Sequence, residues 1–290
     1  MRADPNSKRG PRPYRPEGGS DMMEGTYVSQ VLALVSRELK HWYRSKTQIL
    51  TVIIQPMIWL VLFGKAMSGY IHSAAPGVDY FTFLALGMMI ITVLFSSMNA
   101  GMTLIWDRRF GFLDKLRAAP IPRGAIPLSR VLAATVKAVI QAMLVLIVAL
   151  LMGLDTNGLT ASSAIISVIT ILICAACISL TVSSVFVAMG LVIRNQEVLT
   201  GVTVLLNLPI MFASGAMFPT STFPSWLKFI ANGNPLTYAT DAIRQAWGGM
   251  DQMISVPSIS LQWSILIVAV VAFLVTAGGM LFARKALRGD

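Results

Sequence analysis

Six long apolar stretches restrict the fold of this chain more than any other feature of its sequence. They cover residues 49–67, 81–105, 133–154, 164–193, 198–217 and 261–283. Each is near or above the roughly 20 apolar residues with which a helix crosses a hydrocarbon core of about 30 Å. The fourth reaches about 45 Å at about 1.5 Å per residue, so we expect it to tilt or to project from the bilayer. The pattern predicts an all-α membrane protein with six transmembrane helices.

The composition agrees with a membrane protein. Hydrophobic residues make up 55% and charged residues 12% of the 290 residues, and the mean hydropathy is +0.70. A typical soluble domain carries about 25% charged residues, so most soluble folds are excluded. In a membrane protein, we expect the formal charge of +10 to set orientation and lipid contact rather than to bind nucleic acid.

The N-terminal segment differs from the rest of the chain. Residues 1–27 are rich in Pro, Gly and Arg and show no apolar periodicity, which predicts a disordered basic tail ahead of one membrane domain over 28–290. No apolar region follows the charges, so the segment is not typical of a cleavable signal peptide.

The distribution of cations predicts the orientation. With the N-terminus placed inside, 19 of the 23 Lys and Arg residues fall in inner segments, and only Lys228 and Arg244 fall in outer ones. This asymmetry predicts that both termini are cytoplasmic. Lys137 lies one turn into the third stretch, and we expect its ammonium group to extend to the inner interface rather than to bind substrate.

Two amphipathic pieces lie outside the six stretches. Residues 28–44 predict a helix in the inner membrane interface, or alternatively an inward extension of the first span. Its apolar face would carry Val28, Val31, Leu32, Val35, Leu39 and Trp42, and its polar side Arg37, Lys40, His41 and Arg44. The outer segment 218–260 predicts two short helices, over 224–231 and 236–247, that re-enter the membrane.

Two features of the outer segment are open to alternative interpretations. Asp241 and Arg244 are three residues apart on a predicted helix, so they are able to pair at membrane depth or to form a weak surface ion pair. Asn234 is predicted to cap the second short helix, with Pro235 at its first position.

No residue set for covalent or metal chemistry is visible in the sequence. It has no phosphate-binding P-loop and no HExxH motif, and we interpret Cys174 and Cys177 as packing residues. The six stretches contain no Asp or Glu, which argues against a transporter driven by its own proton or sodium relay. The sequence therefore predicts a transport pathway powered by another protein, with no cofactor or metal bound by this chain.

Several non-lipid features remain inside the stretches. Ala175, Ser179 and Ser183 form a ridge of small residues that predicts close helix packing. Methionines surround Asn99 in the second stretch, and this cluster is interpreted either as packing or as an adaptable wall for bulky amphipathic cargo. The candidate translocation path consists of Met88, Met98, Asn99, Met102, Asn207, Pro209 and Met211.

The inner loop 105–130 is the most distinctive segment that faces water. Asp107, Arg108 and Arg109 mark the membrane exit, and residues 112–119 predict a short amphipathic helix that ends before Pro120 and Pro122. Such a helix is either a docking element for a cytosolic protein or a turn with its charges against lipid headgroups.

Three segments carry a family resemblance. FGFLDKLRAAPIPR in the inner loop, LNLPIMFASGAMFP in the fifth stretch and NPLTYATDAIR in the outer segment resemble type-2 ABC transporter permeases. Their order and spacing match across about residues 24–288, and the daunorubicin-type drug-exporter branch is the most similar. The chain departs from the family in having Asp107 where Glu is common, and in its N-terminal 20-odd residues.

The resemblance implies roles that composition does not. Such a permease is one half of a membrane dimer, here most simply a homodimer, and each half pairs with a separate ATP-binding cassette subunit that binds ATP and Mg²⁺. The implied ATPase-coupling residues are Asp107, Arg108, Arg109, Gly111, Leu113, Asp114, Lys115, Leu116 and Arg117. The implied interface-helix residues are Arg37, Lys40, Trp42 and Arg44, and the outer-helix residues are Asn234, Pro235, Tyr238, Asp241 and Arg244.

The implied function is export of a hydrophobic or amphipathic substrate, a drug or a lipid, out across the cell membrane. Export of lipid-linked glycans is the alternative within transport. A membrane-embedded enzyme and a passive channel are disfavoured, because neither a catalytic set nor a filter-like Gly run is present.

Overall fold

The computed structural model describes residues 27–64, 66, 79–112, 115, 122, 124–156, 159–248 and 259–289, and this part of the chain is helical without strands. The predicted disordered tail over 1–27 lies outside it, apart from Tyr27. The described residues form α1 (Tyr27–Arg44), α2 (Lys46–Trp59), a π-helical turn (Leu60–Gly64), α3 (Tyr80–Arg109), α4 (Ala125–Leu151), α5 (Ala161–Val192), α6 (Gln196–Phe212), a 3-10 turn (Thr220–Thr222), α7 (Ser225–Gly233), α8 (Pro235–Gly248) and α9 (Leu261–Gly289).

Side-chain caps fix where several of these helices begin. Asp79 accepts hydrogen bonds from the backbone N–H groups of Phe81 and Thr82 at the start of α3. Asn195 accepts from the N–H of Glu197 at 2.8 Å and so starts α6 directly after α5. Such caps satisfy backbone donors that have no partner within the helix, and only residues 193–195 separate α5 from α6.

Four helices in the described part of the chain are long and apolar enough to cross a membrane, namely α3, α4, α5 and α9. They correspond to the second, third, fourth and sixth predicted spans. The first and fifth stretches give shorter apolar helices. Six transmembrane helices therefore stay a prediction.

Backbone features explain the two shorter helices. Pro56 lies inside α2, which passes into the π-helical turn at Leu60. Pro209 lies inside α6, which ends at Phe212 rather than near 217. Gly215 adopts a φ of +67°, a conformation that favours glycine and that a helix does not contain, so the chain leaves the helical path there.

The centre of the fold is α5, which packs against α3, α4, α8 and α9. The predicted ridge of Ala175, Ser179 and Ser183 is fully buried, and the Ser97 hydroxyl of α3 donates to the Ser179 hydroxyl at 2.8 Å. Close approach of the two helix backbones follows from these small side chains.

The amphipathic helix α1 packs on α4, but on a narrower face than predicted. Val31 and Val35 are buried against the α4 residues Ala125 and Ala133. Val28 and Leu32, which were predicted to share that face, are exposed at 58% and 57%. Contact with α4 buries the row of the apolar face that holds Val31 and Val35, and the row that holds Val28 and Leu32 stays exposed.

The outer segment forms the two short helices that the sequence predicts, α7 and α8. The more buried is α8, which packs against α3, α5 and α9. On α7, the side chains of Trp226, Phe229 and Ile230 are exposed. Residues 249–258 lie outside the described part.

Candidate functional site

The predicted coupling segment, residues 107–117, begins in the last turn of α3. Asp107, Arg108 and Arg109 form the last turn of α3, and Gly111 follows with a φ of +66°. That positive φ turns the chain out of the helix at a position where glycine is favoured. Lys115 is exposed. Four predicted coupling residues lie outside the described part: Leu113, Asp114, Leu116 and Arg117.

An ion-pair network joins this segment to two other helices. Arg130 of α4 donates to the carboxylates of both Glu38 on α1 and Asp107 on α3. Lys137 Nζ donates to the other Glu38 oxygen at 2.9 Å. The network is mostly buried, with the Arg130 side chain 8% exposed, and its two acids balance its two bases.

Two of these four residues were missed by sequence reasoning. Glu38 and Arg130 were not singled out, and Lys137 was predicted to extend to the interface alone, whereas it pairs with Glu38. Lys137 and Glu38 are 99 residues apart in the chain. The only sequence signal was the presence of a carboxylate on an otherwise basic amphipathic helix.

The network changes the acidity of Glu38. Burial by itself raises the pKa of this carboxyl, but the nearby positive charges of Arg130 and Lys137 more than offset that effect, so its pKa lies below its ordinary value. Glu38 is therefore held as a carboxylate at neutral pH.

Two further contacts hold the coupling segment to the bundle. The Arg37 guanidinium of α1 lies 3.6 Å from the ring centroid of Phe112, a cation–π arrangement. Arg108 Nη2 donates to the carbonyl of Leu191, near the end of α5, at 3.0 Å. The segment thus contacts α1, α4 and α5.

A polar cavity of about 1370 Å³ opens beside this network, and we call it the inner cavity. The four helices α1, α2, α3 and α4 line it. All four residues of the predicted interface set line it from α1: Arg37, Lys40, Trp42 and Arg44, of which Trp42 is buried.

A second, apolar cavity of about 800 Å³ lies between α3, α5, α6, α7 and α8, and we call it the outer cavity. Its wall includes Leu94, Phe186, Ile210 and Phe229. Few polar side chains are present, namely those of Thr181, Asn232 and Asn234. The cavity suits an apolar molecule or the apolar portion of a larger one.

The predicted path residues divide between these places. Met98 and Pro209 line the outer cavity, and Asn99 and Met102 line the inner one. The remaining three residues line neither cavity: Met88 and Met211 are buried in the core, and Asn207 has a buried Oδ1 without a described hydrogen-bond partner.

The outer-helix residues form a structural cluster. Asn234 Oδ1 accepts from the N–H of Leu236 at 3.0 Å, its Nδ2 donates to Ile210 O at 2.9 Å, and Pro235 is the first residue of α8. The predicted cap is therefore present. The Tyr238 hydroxyl donates to Asn232 O at 2.7 Å.

The sequence spacing allowed Arg244 to pair directly with Asp241, but the structure shows no such pair. Its guanidinium donates to the carbonyls of Gly215, Ala216 and Phe83 at 2.8–3.1 Å. It also lies 3.5 Å from the Phe83 ring centroid. No ion pair within 4 Å joins Asp241 and Arg244 in the described structure, where the three carbonyls accept from the two Nη groups and the buried Arg244 Nε has no hydrogen-bond partner.

Comparison with known proteins places this arrangement in a family. Residues 29–247 match the ABC-2 type transporter family. The putative transport permease ycf38 of Porphyra purpurea is 30% identical over 238 residues, which cover 81% of this chain and 80% of the relative.

Drug-resistance permeases are also among the relatives, in agreement with the branch that the sequence resembles. The daunorubicin resistance ABC transporter permease protein DrrB1 of Streptomyces coeruleorubidus is 22% identical over 231 residues, covering 80% of this chain and 79% of the relative. The probable doxorubicin resistance ABC transporter permease protein DrrC of Mycobacterium tuberculosis is 25% identical over 236 residues, covering 80% and 82%. The chain belongs to the ABC-2 type transporter family, whose members are permease subunits and not catalysts.

Proposed function

We propose that this chain is the membrane subunit of an ATP-driven exporter that moves a hydrophobic or amphipathic drug or lipid out across the cell membrane. Two relatives are named for resistance to daunorubicin and doxorubicin. The apolar outer cavity supports a substrate with a substantial apolar portion.

The proposed topology has six spans with both termini in the cytosol. The asymmetry of Lys and Arg supports it, because it favours the inner side for loop 105–130. In this topology α1 lies in the inner interface, and α7 and α8 dip into the outer leaflet. The shorter helices α2 and α6 complete the six spans, with local thinning or exposed flanks compensating for their length.

The proposed partners are a second copy of this chain and two ATP-binding cassette subunits, which hold ATP and Mg²⁺. The observation that carries this coupling is the bridge made by Arg130. Because Arg130 binds both Asp107 and Glu38, a push on the coupling segment reaches α1, α3 and α4 together. Rigid-body transmission of this kind requires such fixed contacts between elements.

The two cavities support a route along α3. Met98 and Asn99 are consecutive, yet one faces the outer cavity and the other the inner cavity. In the proposed cycle, an amphipathic substrate enters the polar inner cavity, and nucleotide-driven movement of α3 gives it access to the apolar outer one. Nucleotide shifts this equilibrium only through contacts that differ between the two states.

Reconstitution with a candidate ATP-binding cassette subunit tests the proposal. Inside-out vesicles are expected to accumulate daunorubicin when ATP is supplied, as measured by fluorescence quenching. The matched control carries an ATPase subunit with its P-loop lysine replaced. Equal accumulation with the control subunit, or with this chain alone, would reject ATP-driven export.

A further inference from the structure

The inner cavity carries an excess of positive charge at its cytosolic mouth. Its two carboxylates, Glu38 and Asp107, are bound by Arg130 and Lys137. The other cations of the wall are Arg37, Lys40, Arg44 and Lys115, and no carboxylate lies within 4 Å of them in the described structure. A mouth of this charge attracts an anionic group.

Deeper in the cavity the wall presents polar side chains on three helices. On α3 these are Thr92, Ser96, Asn99 and Thr103, on α2 Thr51 and Gln55, and on α4 Gln141. Residues spaced by three or four positions share one helix face, so α3 in particular directs a continuous polar stripe into the cavity. A lipid-facing surface would not carry such a stripe.

The polar stripe offers hydrogen-bond acceptors. The hydroxyls of Thr92 and Thr103 donate to carbonyls of their own helix, and Asn99 Nδ2 donates to Phe95 O. Their oxygens are left to accept. A ligand that complements them must supply donors such as hydroxyl groups.

Gln141 gives independent evidence for a ligand. Its side chain is 3% exposed and lines the cavity, and its Oε1 is buried without a hydrogen-bond partner in the described structure. A buried acceptor without a partner costs free energy that a bound donor recovers. Gln141 lies eleven residues beyond Arg130 on α4, which is about 16 Å along the helix, so the site reaches well into the membrane.

We propose that the inner cavity binds an anionic amphiphile whose headgroup carries hydroxyl groups, with Lys40 and Arg44 attracting the anion and Gln141 accepting from a hydroxyl. This inference rests on the proposed transport function and specifies its substrate class. The positive-inside rule accounts for cations at the mouth, but it does not account for the buried acceptor of Gln141.

Binding to the purified full chain tests the site without nucleotide or ATPase subunit. The probes are fluorescently labelled phosphatidylglycerol, which is anionic and hydroxylated, and labelled phosphatidylcholine, which is neither. We expect phosphatidylglycerol to bind at least tenfold more tightly. Equal binding of the two lipids would overturn the proposal.

Charge variants distinguish the cavity from the surrounding surface. Lys40→Gln with Arg44→Gln is expected to weaken phosphatidylglycerol binding by roughly fivefold for each cation and to leave phosphatidylcholine binding unchanged. Lys46→Gln is the matched control, since Lys46 is an exposed neighbour that does not line the cavity. If Lys46→Gln weakens phosphatidylglycerol binding as much as each cation of the double variant does, the cavity is not the binding site.

Variants of Gln141 test the deep end of the cavity with an anionic and a cationic lipid. Gln141→Leu is expected to weaken phosphatidylglycerol binding. Gln141→Glu is expected to weaken it further and to increase binding of a labelled trimethylammonium lipid, because the new carboxylate repels anions and attracts cations. The melting temperature in detergent reports that each variant is folded, and wild-type selectivity in both folded variants would reject the role of Gln141.

A soluble competitor identifies the source of the anion. Glycerol phosphate carries the same headgroup chemistry without acyl chains, and we expect it to displace the labelled lipid only at concentrations at least a hundredfold higher than unlabelled phosphatidylglycerol. Displacement at equal concentration would overturn an amphiphile as the ligand.

The binding site and the proposed function can fail separately. Loss of ATP-driven export with lipid selectivity intact would reject the proposed function but not the binding site.

Discussion

Arg130 on α4 donates a hydrogen bond to Glu38 on α1, and the same guanidinium also binds Asp107 at the end of α3. This one side chain therefore fastens the amphipathic helix and the coupling segment to the membrane bundle. Its removal would leave two mostly buried carboxylates, of which Glu38 keeps Lys137 as a partner.

We expect Arg130→Ala to lower the free energy of unfolding by about 2–4 kcal/mol, because breaking a buried ion pair leaves an uncompensated charge. Thermal unfolding of the purified protein in detergent measures the loss. Arg109→Ala is the matched control, since Arg109 is exposed and its loss should change stability by less than about 0.5 kcal/mol. Equal melting temperatures for wild type and Arg130→Ala would contradict the bridging role.

The lowered pKa of Glu38 predicts a pH dependence with a definite sign. A carboxyl whose pKa is lower in the folded state stabilises the protein above its unfolded pKa, and that contribution is lost as the pH falls. The stability advantage of wild type over Glu38→Gln should thus be full at pH 7. It should shrink as the pH falls toward and below the ordinary Glu value of 4.5.

Melting temperatures between pH 7.5 and pH 4 check this dependence. Glu197→Gln is the control, because Glu197 is an exposed carboxylate on α6 and has no place in the network. A wild-type advantage over Glu38→Gln that stays constant, or grows, as the solution is acidified would show that Glu38 is not stabilised as a carboxylate.

The apolar periodicity predicted most of the helical frame but not its interruptions. Stretches of sufficient length became α3, α4, α5 and α9, because a backbone in an apolar environment must satisfy its own hydrogen bonds, as a helix does. The ends of α2 and α6 depend on backbone features, Pro56 and Pro209 together with the positive φ of Gly215. Hydropathy does not report these features.

Contacts between distant segments were harder to predict. The spacing of Asp241 and Arg244 permits a pair on one helix, but the guanidinium reaches carbonyls that lie as far away in the chain as Phe83. A single sequence contains no signal for such a contact. The polar stripe on α3 is visible in the sequence, because its residues recur every three or four positions from Thr92 to Thr103. Polar periodicity, considered together with apolar periodicity, predicts it.

The crossing of α3 and α5 predicts a sharp effect for one added methyl group. A Cβ at Gly101 would overlap the carbonyl oxygen of Phe186 on α5, and neither backbone has a flexible end that can move. We expect Gly101→Ala to cost about 1–3 kcal/mol, measured as a lower melting temperature and a lower yield of folded protein.

A second glycine provides the control for that substitution. A Cβ at Gly201 on α6 meets nothing within 4 Å, so Gly201→Ala should be neutral or stabilising by up to about 1 kcal/mol through helix propensity. If both alanine variants behave alike, the close approach of α3 and α5 is not a requirement of the fold.

The different surroundings of Asp241 and Arg244 predict that these residues are unequal. Arg244 donates to three carbonyls and stacks on Phe83, so Arg244→Gln should lose most of the folded protein by leaving buried acceptors without partners. Asp241→Asn removes a charge that makes no direct pair with Arg244, and it should cost no more than about 1 kcal/mol. Size-exclusion profiles and melting temperatures of the two variants measure the difference. A direct ion pair would instead make the two single losses similar, and the double variant would then be no worse than either, because deleting one partner already removes the interaction.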